Sequence, residues 1–223
     1  MFNWLPKNVS TFGGDVDSVL YVIYYIVTGW FILTYGAIIY FVIRYRRRPG
    51  QQAIYVDGNT VRQYGWILIL GLIILIMDVG IDIHGEQVWD KIKLHTPPPD
   101  VQVRVTAKQF NWEVLYPGPD GAFDTADDRQ IDGQLHVPVD KVVHVTLTSK
   151  DVIHSFFLPN FRLKQDALPG RNIVLWFEAT EPGEYSWPCA ELCGTGHTGM
   201  VGRVTVHTPE DYDAWMKSQW SGS

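Results

Sequence analysis

The residues best suited to chemistry in this sequence lie in one short stretch near its C-terminal end. Both cysteines fall there, at Cys189 and Cys193, and His197 and Met200 follow in the pattern C-x3-C-x3-H-x2-M. A further histidine, His154, follows a predicted strand upstream. Thiolate, imidazole and thioether together are the soft ligand set of copper electron-transfer sites. The stretch therefore predicts a copper site.

The number of cysteines favours two copper ions over one. A mononuclear blue-copper site uses one cysteine, two histidines and a methionine, whereas two thiolates can each bridge two ions. His154 and His197 would then give one imidazole to each ion, and the sulfur of Met200 and the backbone carbonyl of Glu191 would take weak axial positions. Zinc prefers four strong ligands and has little use for a thioether. A disulfide between the two cysteines is the alternative for these residues taken alone.

Two apolar segments precede this stretch and have the length of membrane-spanning helices. The first, about residues 19–43, lies in a run of 26 residues without a charge, which exceeds the roughly 20 residues that cross a bilayer. The second covers about residues 63–83. The loop between them contains five arginines, so the positive-inside rule makes it cytoplasmic. We therefore predict a transmembrane hairpin over residues 1–85, with the N-terminus and the rest of the chain on the extracytoplasmic side.

The second apolar segment contains two carboxylates. Asp78 and Asp82 are four residues apart, so they share one helix face. Intramembrane carboxylates face protein or water and avoid lipid. Two interpretations stay open: the pair lies at the outer interface, or it faces a partner subunit.

Residues 86–223 are predicted to form an outer domain built from strands. Valine alternates with polar residues over 101–105, and similar strand candidates recur at 143–147, 173–177 and 201–206. Glycine and proline turns separate them without helical crossovers, which predicts an antiparallel β-sandwich of Greek-key type. A short C-terminal helix should begin at Thr208, which suits an N-cap.

The charge balance argues against a general nucleic-acid binder, because the formal net charge is −6 and such proteins present a basic face. The outer domain holds a cluster of five aspartates: Asp120, Asp124, Asp127, Asp128 and Asp132. An exposed acidic loop is one interpretation of this cluster. A calcium loop is another, although the spacing does not match an EF-hand. An acidic face would also steer a basic protein partner.

Taken together, these features resemble subunit II of haem-copper cytochrome c oxidases over nearly the whole chain. The resemblance rests on the helix pair, on Asp151-Val-Ile-His154-Ser, on Lys164-Gln-Asp166-Ala-Leu-Pro-Gly-Arg171 and on the cysteine loop. It implies a membrane-anchored α+β chain, in which a two-helix transmembrane hairpin precedes a cupredoxin-like Greek-key sandwich. It also implies a dinuclear copper centre, CuA, held by His154, Cys189, the carbonyl of Glu191, Cys193, His197 and Met200.

The resemblance implies further roles outside the copper ligands. The side chain of Glu191 would reach a magnesium ion shared with subunit I. Asp166 and Arg171 fall where the family has its contact surface with subunit I, near the haem propionates. Phe110 and Trp112 stand where the family receives electrons, although both would equally suit strand residues packed inside the sandwich.

The sequence departs from the family pattern in three places. The family run Q-W-x-W is Gln109-Phe110-Asn111-Trp112 here, so the indole of the first tryptophan is missing. Gln63 stands where the family often has a glutamate that assists proton uptake. No C-x-x-C-H haem attachment motif is present, so the electron donor would be a separate cytochrome c-type protein.

The function expected from the resemblance is electron input to a proton-translocating terminal oxidase of a bacterial-type inner membrane. The expected partners are oxidase subunit I, subunit III, the separate donor and the lipid bilayer, and haem would be held only by the partner subunit. The alternative from a different class is a membrane-anchored copper carrier, which needs an exposed and exchangeable site.

Overall fold

A computed structural model describes residues 5–220 of the chain. Two long helices come first, α1 (Gly13–Arg44) and α2 (Val61–Trp89), and α2 continues through a π-helical turn to Leu94. At about 1.5 Å per residue, each helix is longer than the roughly 30 Å hydrocarbon core of a bilayer. Both helices extend beyond the predicted spans because their hydrogen bonding continues into the polar residues that flank the apolar runs.

The ends of the two helices have local explanations in the sequence. Asp15 lies in the first turn of α1 and Arg44 in its last turn, where their charges interact favourably with the helix dipole. At the start of α2, the side-chain oxygen of Gln63 accepts a hydrogen bond from the backbone N–H of Thr60, at 3.2 Å. Gln63 therefore caps the helix. The described chain divides into two compact units, Asp17–Asp90 and the remainder.

The second unit contains ten strands and a C-terminal helix. The strands are β1 (Val101–Lys108), β2 (Asn111–Tyr116), β3 (Arg129–Asp132), β4 (Gln134–Pro138), β5 (Val142–Ser149), β6 (His154–Leu158), β7 (Leu163–Ala167), β8 (Ile173–Glu178), β9 (Gly183–Pro188) and β10 (Val201–His207). They form sheets in the orders β3-β2-β1-β5-β8, β4-β10-β9 and β6-β7. The helix α3 spans Pro209–Trp220.

The predicted antiparallel pairing is wrong at two places. Strand β1 pairs with β5 in parallel, and β4 pairs with β10 in parallel, whereas the other pairs are antiparallel. Each parallel pair joins strands that are far apart in sequence. The chain between them crosses to another sheet and returns in the original direction, which alternation within a strand cannot reveal.

The core of this unit follows the alternation seen in the sequence. Strand β5 alternates between partly buried and fully buried residues along its whole length, and β1 does the same from Val103 onward. The largest buried side chains are aromatic and include Trp112, Trp187 and Phe156. A sheet whose residues alternate in this way buries one apolar face against a second layer.

The segment before α1 contributes to the same core, which the sequence did not indicate. Val9 and Phe12 are fully buried, and Phe12 makes an edge-to-face contact with Trp176 at 5.2 Å between ring centroids. The backbone of Val9 donates to Asn160 O at 2.8 Å and accepts from Thr180 N at 2.9 Å. The N-terminal segment is therefore part of the β-domain, to which the sequence division into 1–85 and 86–223 did not assign it.

Helix α3 begins where the sequence predicts. The backbone N–H of Asp211 donates to Thr208 Oγ1 at 3.2 Å, so Thr208 caps the helix. Trp215 stacks on the ring of His136 from β4, at 4.6 Å between centroids. His136 in turn shares a 2.8 Å hydrogen bond with His207 of β10. This histidine pair and Trp215 attach the helix to the three-stranded sheet.

Candidate metal centre

Two segments from separate parts of the chain form the candidate metal centre. His154 is the first residue of β6, and the cysteine loop joins β9 to β10. The loop is closed at its base because Cys189 N donates to Met200 O at 3.0 Å. It is tied to β6 because Ala190 N donates to Ser155 O, also at 3.0 Å. These backbone hydrogen bonds bring the predicted ligands together.

The first half of the centre is arranged around Cys189. Its Sγ lies 3.9 Å from His154 Nδ1 and 3.3 Å from the carbonyl oxygen of Glu191. One thiol, one imidazole nitrogen and one weak oxygen donor therefore face the same point.

The second half is arranged in the same way around Cys193. Its Sγ lies 3.6 Å from His197 Nδ1 and 3.9 Å from Met200 Sδ. The ligand atoms of His154, Cys189 and Cys193 all lie within 4.8 Å of one another, so the two halves adjoin. All six predicted copper-site residues are thus brought together.

The centre is largely shielded from water. His154 is fully buried, Met200 is 1% exposed, and the two cysteines are 7% and 3% exposed. Both cysteines are free thiols, so the alternative of a disulfide between them is not realised in the structure. Burial, and then the neighbouring Cys189 thiol, raises the pKa of the Cys193 thiol well above its usual range.

The donor set fits copper. Two thiols, two imidazole nitrogens and a thioether form a soft donor set, and a thiolate, imidazoles and a weak thioether are combined in copper electron-transfer sites. The set also divides into two halves that each contain a thiol, an imidazole and a weak donor. A single tetrahedral zinc ion would leave the thioether and the carbonyl without a role.

Polar neighbours hold the ligands from outside. His154 Nε2 lies 2.8 Å from Asp151 Oδ1, so Nδ1 is left to face the thiols. The other carboxylate oxygen of Asp151 accepts the backbone N–H of Gln109 at 2.7 Å. Although burial opposes ionisation, hydrogen bonds from Gln109, His154 and Val152 lower the pKa of Asp151 to about 2. A carboxylate that orients a metal-binding imidazole is a common feature of metal centres.

Aromatic rings form the inner wall of the site. Trp112 is fully buried, and its ring lies 6.2 Å from His154, 6.0 Å from Phe156 and 4.8 Å from Trp187. Phe110, in contrast, is 39% exposed. A Cβ added at Gly196 of the cysteine loop would lie 2.5 Å from Phe110 Cδ2. Of the two residues predicted to receive electrons, Phe110 is therefore at the surface and Trp112 is inside.

Comparison with known proteins identifies the family. The family described as the periplasmic domain of cytochrome c oxidase subunit II matches residues 106–206. Cytochrome c oxidase subunit 2 of Thermostichus vulcanus is 34% identical over 96% of this chain and 77% of its own length. The chain belongs to the cytochrome c oxidase subunit II family. The alternative cytochrome c oxidase subunit 2 of Bradyrhizobium diazoefficiens is 30% identical, over 97% of this chain and 83% of that relative.

A solved structure agrees with this assignment. The periplasmic domain of subunit II of cytochrome oxidase of Bradyrhizobium japonicum has a TM-score of 0.50 and 32% identity, covering 56% of this chain and 96% of that domain. The predicted cupredoxin-like domain is thereby confirmed. The two long helices fit the membrane anchor of a subunit II. The chain is accordingly a subunit of a haem-copper oxidase, and its family supports the electron-input role.

The remaining predicted residues of this subunit II lie outside the thiol cluster. The side chain of Glu191 is exposed, as is Arg171. Asp166 accepts hydrogen bonds from Ser155 Oγ at 2.7 Å and from Lys164 Nζ at 3.2 Å. Ser155 directly follows His154, so Asp166 is linked to the ligand-bearing strand.

The carboxylates of the acidic loop mostly engage their own surroundings. Asp124 forms an ion pair with Arg104 at 2.8 Å. Asp128 accepts the backbone N–H of Asp124 at 2.8 Å, and Asp120 accepts that of Ala122 at 2.9 Å. These contacts agree with the interpretation as an exposed acidic loop. The calcium interpretation stays an untested prediction.

Two contributors to the site were not recognised as such from sequence. Asp151 stood within a motif quoted for the family resemblance, and Gln109 within the run that departs from the family pattern, but neither was given a role. The contacts of Gln109 join residues that are 42 and 84 positions apart, and no local pattern encodes them. Asp151, in contrast, lies only three positions before His154. The weak signals available were that Gln109 directly adjoins Phe110 and that Asp151 lies three positions before His154.

Proposed function

We propose that this chain receives electrons from a separate cytochrome c-type donor at a dinuclear CuA centre in its outer domain. The observation that carries the proposal is the division of the donor set into two halves, each with one thiol, one imidazole and one weak donor. The residues that would hold the two ions are His154, Cys189, Cys193, His197, Met200 and, through its carbonyl, Glu191.

When bound, the copper pair supplies a site that gains and loses one electron. The residues of the chain position the ligands and exclude water. The backbone hydrogen bonds at the base of the loop fix the distance between the two ligand-bearing segments. Asp151 fixes the ring orientation of His154, and the buried aromatic wall excludes water. Fixed ligands and a dry surrounding keep geometry similar in both oxidation states and tune the potential.

The donor is proposed to meet the surface near Phe110. This ring is exposed and lies against the cysteine loop, and Leu192 of the same loop is 77% exposed. Trp112 is fully buried, so we assign it to the interior between the surface and His154. The outer domain has more acidic than basic residues, and this charge would steer a basic donor.

Subunit I is proposed to cover one face of α2. Apart from Gly65 and Gly85, the partly buried residues of α2 recur at helical spacing: Gln63, Leu70, Met77, Ile81, His84 and Val88. Asp78 and Asp82 are exposed and lie on a different face. Because a carboxylate at membrane depth needs a polar partner, we favour a partner subunit with hydrogen-bond donors there. Glu191 would share magnesium with the same subunit, which Asp166 and Arg171 would also contact.

The N-terminal segment supports the proposed membrane sidedness. Val9 and Phe12 belong to the core of the β-domain, so the residues before α1 and those after α2 lie on one side of the membrane. The arginines at 44, 46, 47, 48 and 62 lie in or beside the connection between the helices, and the positive-inside rule assigns that connection to the cytoplasm. Both termini would then be extracytoplasmic.

Purification of the intact complex tests the proposal. The chain should copurify with a haem-containing subunit, and Cys193→Ser should abolish oxidation of reduced cytochrome c while the haem content stays unchanged. The copper-carrier alternative requires a chain that purifies without haem and gives copper up readily. The near-complete burial of both thiols argues against that alternative.

A further inference from the structure

The turn between β1 and β2 lies against the candidate metal centre. Lys108 pairs with Asn111 across the hairpin, so Gln109 and Phe110 are the only residues of the turn. Two residues make the tightest common hairpin connection, which holds the Gln109 backbone and side chain near the strand ends. The turn is therefore a rigid element, and it restricts the groups that it contacts.

Gln109 contacts both ligand-bearing segments at once. Its side-chain Nε2 donates to the carbonyl oxygen of Cys193 at 2.5 Å. Its backbone N–H donates to Asp151 Oδ2 at 2.7 Å, and Asp151 Oδ1 lies 2.8 Å from His154 Nε2. One residue thus connects a thiol ligand to an imidazole ligand from another part of the chain.

The cysteine loop is shaped to receive this turn. Gly194 has a φ of +134°, and a Cβ there would lie 2.8 Å from Gln109 Nε2. At Gly196 a Cβ would lie 2.5 Å from the ring of Phe110. Glycine removes the side chain at both points where the turn approaches the loop most closely. The approach of Gln109 to the Cys193 carbonyl is therefore built into the loop.

We propose that Gln109 is a positioning residue that holds the Cys193 and His154 halves of the centre in register before metal binds. The proposal deepens the proposed function, since the halves that it aligns are those of the copper site. Without the amide, the Cys193 carbonyl loses its donor, and the part of the loop around Cys193 is no longer held to the β1–β2 turn by this hydrogen bond. With it, both halves are arranged in the metal-free protein, as outer hydrogen bonds do in other metal centres.

The test uses the full chain in detergent and compares three variants. Gln109→Ala removes the amide. Gln109→Glu keeps the length of the side chain and the backbone N–H, but a carboxylate cannot donate to a carbonyl. Gln102→Ala is the matched control, because Gln102 is an exposed residue of β1 in the same hairpin.

The first readout needs no metal. In the reduced, metal-free chain, reaction of Cys193 with a thiol reagent should be about 3- to 10-fold faster in both Gln109 variants, the size expected for one lost hydrogen bond. The control should match the unsubstituted chain. The second readout is the electron paramagnetic resonance spectrum after loading with Cu²⁺, whose hyperfine splitting should change in both Gln109 variants only.

Each outcome decides the proposal. Unchanged thiol reactivity and an unchanged spectrum in Gln109→Ala would overturn it. A change confined to the rate of electron transfer from cytochrome c would also overturn it and make Gln109 a donor contact. If the unsubstituted chain bound no copper, the proposed function would fail, whereas the thiol readout would still decide whether Gln109 positions the loop.

Discussion

At the scale of single residues, four of the candidate ligands are each held by a neighbouring group. Asp151 orients His154, Gln109 holds the Cys193 carbonyl, and Met200 and Cys189 close the loop through their backbones. These contacts are formed within the chain itself and do not require a bound metal. A site arranged in advance loses less conformational entropy when the ion binds.

A glycine pair tests whether Phe110 rests on the cysteine loop. Gly196→Ala would put a methyl group 2.5 Å from the Phe110 ring, whereas nothing lies within 4 Å of a Cβ at Gly199. We expect Gly196→Ala to lower the free energy of unfolding by about 1–3 kcal/mol, as overpacking does. Gly199→Ala should change it by less than about 0.5 kcal/mol. Urea unfolding of the metal-free chain measures both, and equal stability of the two variants would contradict the contact.

The sequence indicated which candidate ligands would lie together, but it did not indicate the residues that support them. Cys189, Cys193, His197 and Met200 fall within one short loop, so spacing alone indicates a shared site. Gln109 meets Cys193 across 84 positions, and only the folded hairpin brings them together. The difference is one of contact range: local spacing can be seen in a sequence, whereas a long-range hydrogen bond cannot.

At the scale of elements, the N-terminal segment is the least expected part of the fold. It has no strand-like alternation, and its two buried apolar residues, Val9 and Phe12, lie among polar neighbours. Its structure depends on backbone hydrogen bonds to distant residues, such as Asn160 and Thr180. The helices and four of the ten strands described (β1, β5, β8 and β10), in contrast, followed from long apolar runs or alternation, although strand direction did not.

Two valines of equal size test the role of the N-terminal segment. Val9 is fully buried, whereas Val174 on β8 is 56% exposed. Val9→Ala should lower the free energy of unfolding by about 2 kcal/mol, from lost methyl burial and the cavity left behind. Val174→Ala should have a much smaller effect. Similar losses in both variants would show that the segment does not share the core.

The histidine pair under α3 gives the domain a pH dependence. Burial and the neighbouring His207 lower the pKa of His136 to about 4, and burial lowers that of His207. Glu184 and Asp211 oppose these shifts, while Tyr116 and Tyr212 on the adjoining elements stay neutral because burial raises their pKa values.

Both histidines are therefore neutral in the folded chain. An unfolded histidine has a pKa near 6.5, so it takes up a proton at a higher pH than the folded pair does. The stability that the neutral pair gives the folded chain is therefore complete above about pH 6.5 and is lost as the pH falls towards 4. We expect the melting temperature to fall over that interval. His136→Phe keeps a ring against Trp215 and should make the melting temperature depend less on pH over that interval. An unchanged pH dependence would exclude the histidine pair as its source.

At the scale of the whole molecule, the chain is a membrane hairpin joined to a cupredoxin-like domain that includes its own N-terminal segment. This arrangement suits a subunit that meets a soluble donor on one side of a membrane and an integral partner within it. The resemblance of the sequence to subunit II predicted the hairpin and the domain that follows it, because the helix pair and the cysteine loop occur together in one chain. It did not predict that the N-terminal segment belongs to that domain.

Labelling of intact cells tests the membrane sidedness. In a Cys189→Ser, Cys193→Ser background, Glu210→Cys on α3 should react with an impermeant maleimide from outside. Gln52→Cys, in the loop between α1 and α2, should react only after the membrane is permeabilised. The reverse pattern would contradict the proposed orientation, and equal labelling of both in intact cells would contradict a spanning hairpin.

The central claim is a two-copper centre, and electron paramagnetic resonance of the copper-loaded chain, oxidised in air, tests it most directly. One unpaired electron coupled equally to two copper nuclei of spin 3/2 gives about seven hyperfine lines. Equal sharing is expected because each half of the donor set contains one thiol, one imidazole and one weak donor. The account predicts this pattern, and Cys193→Ser should lose it. A four-line spectrum from a single copper, or no copper bound by the reduced chain, would contradict the account.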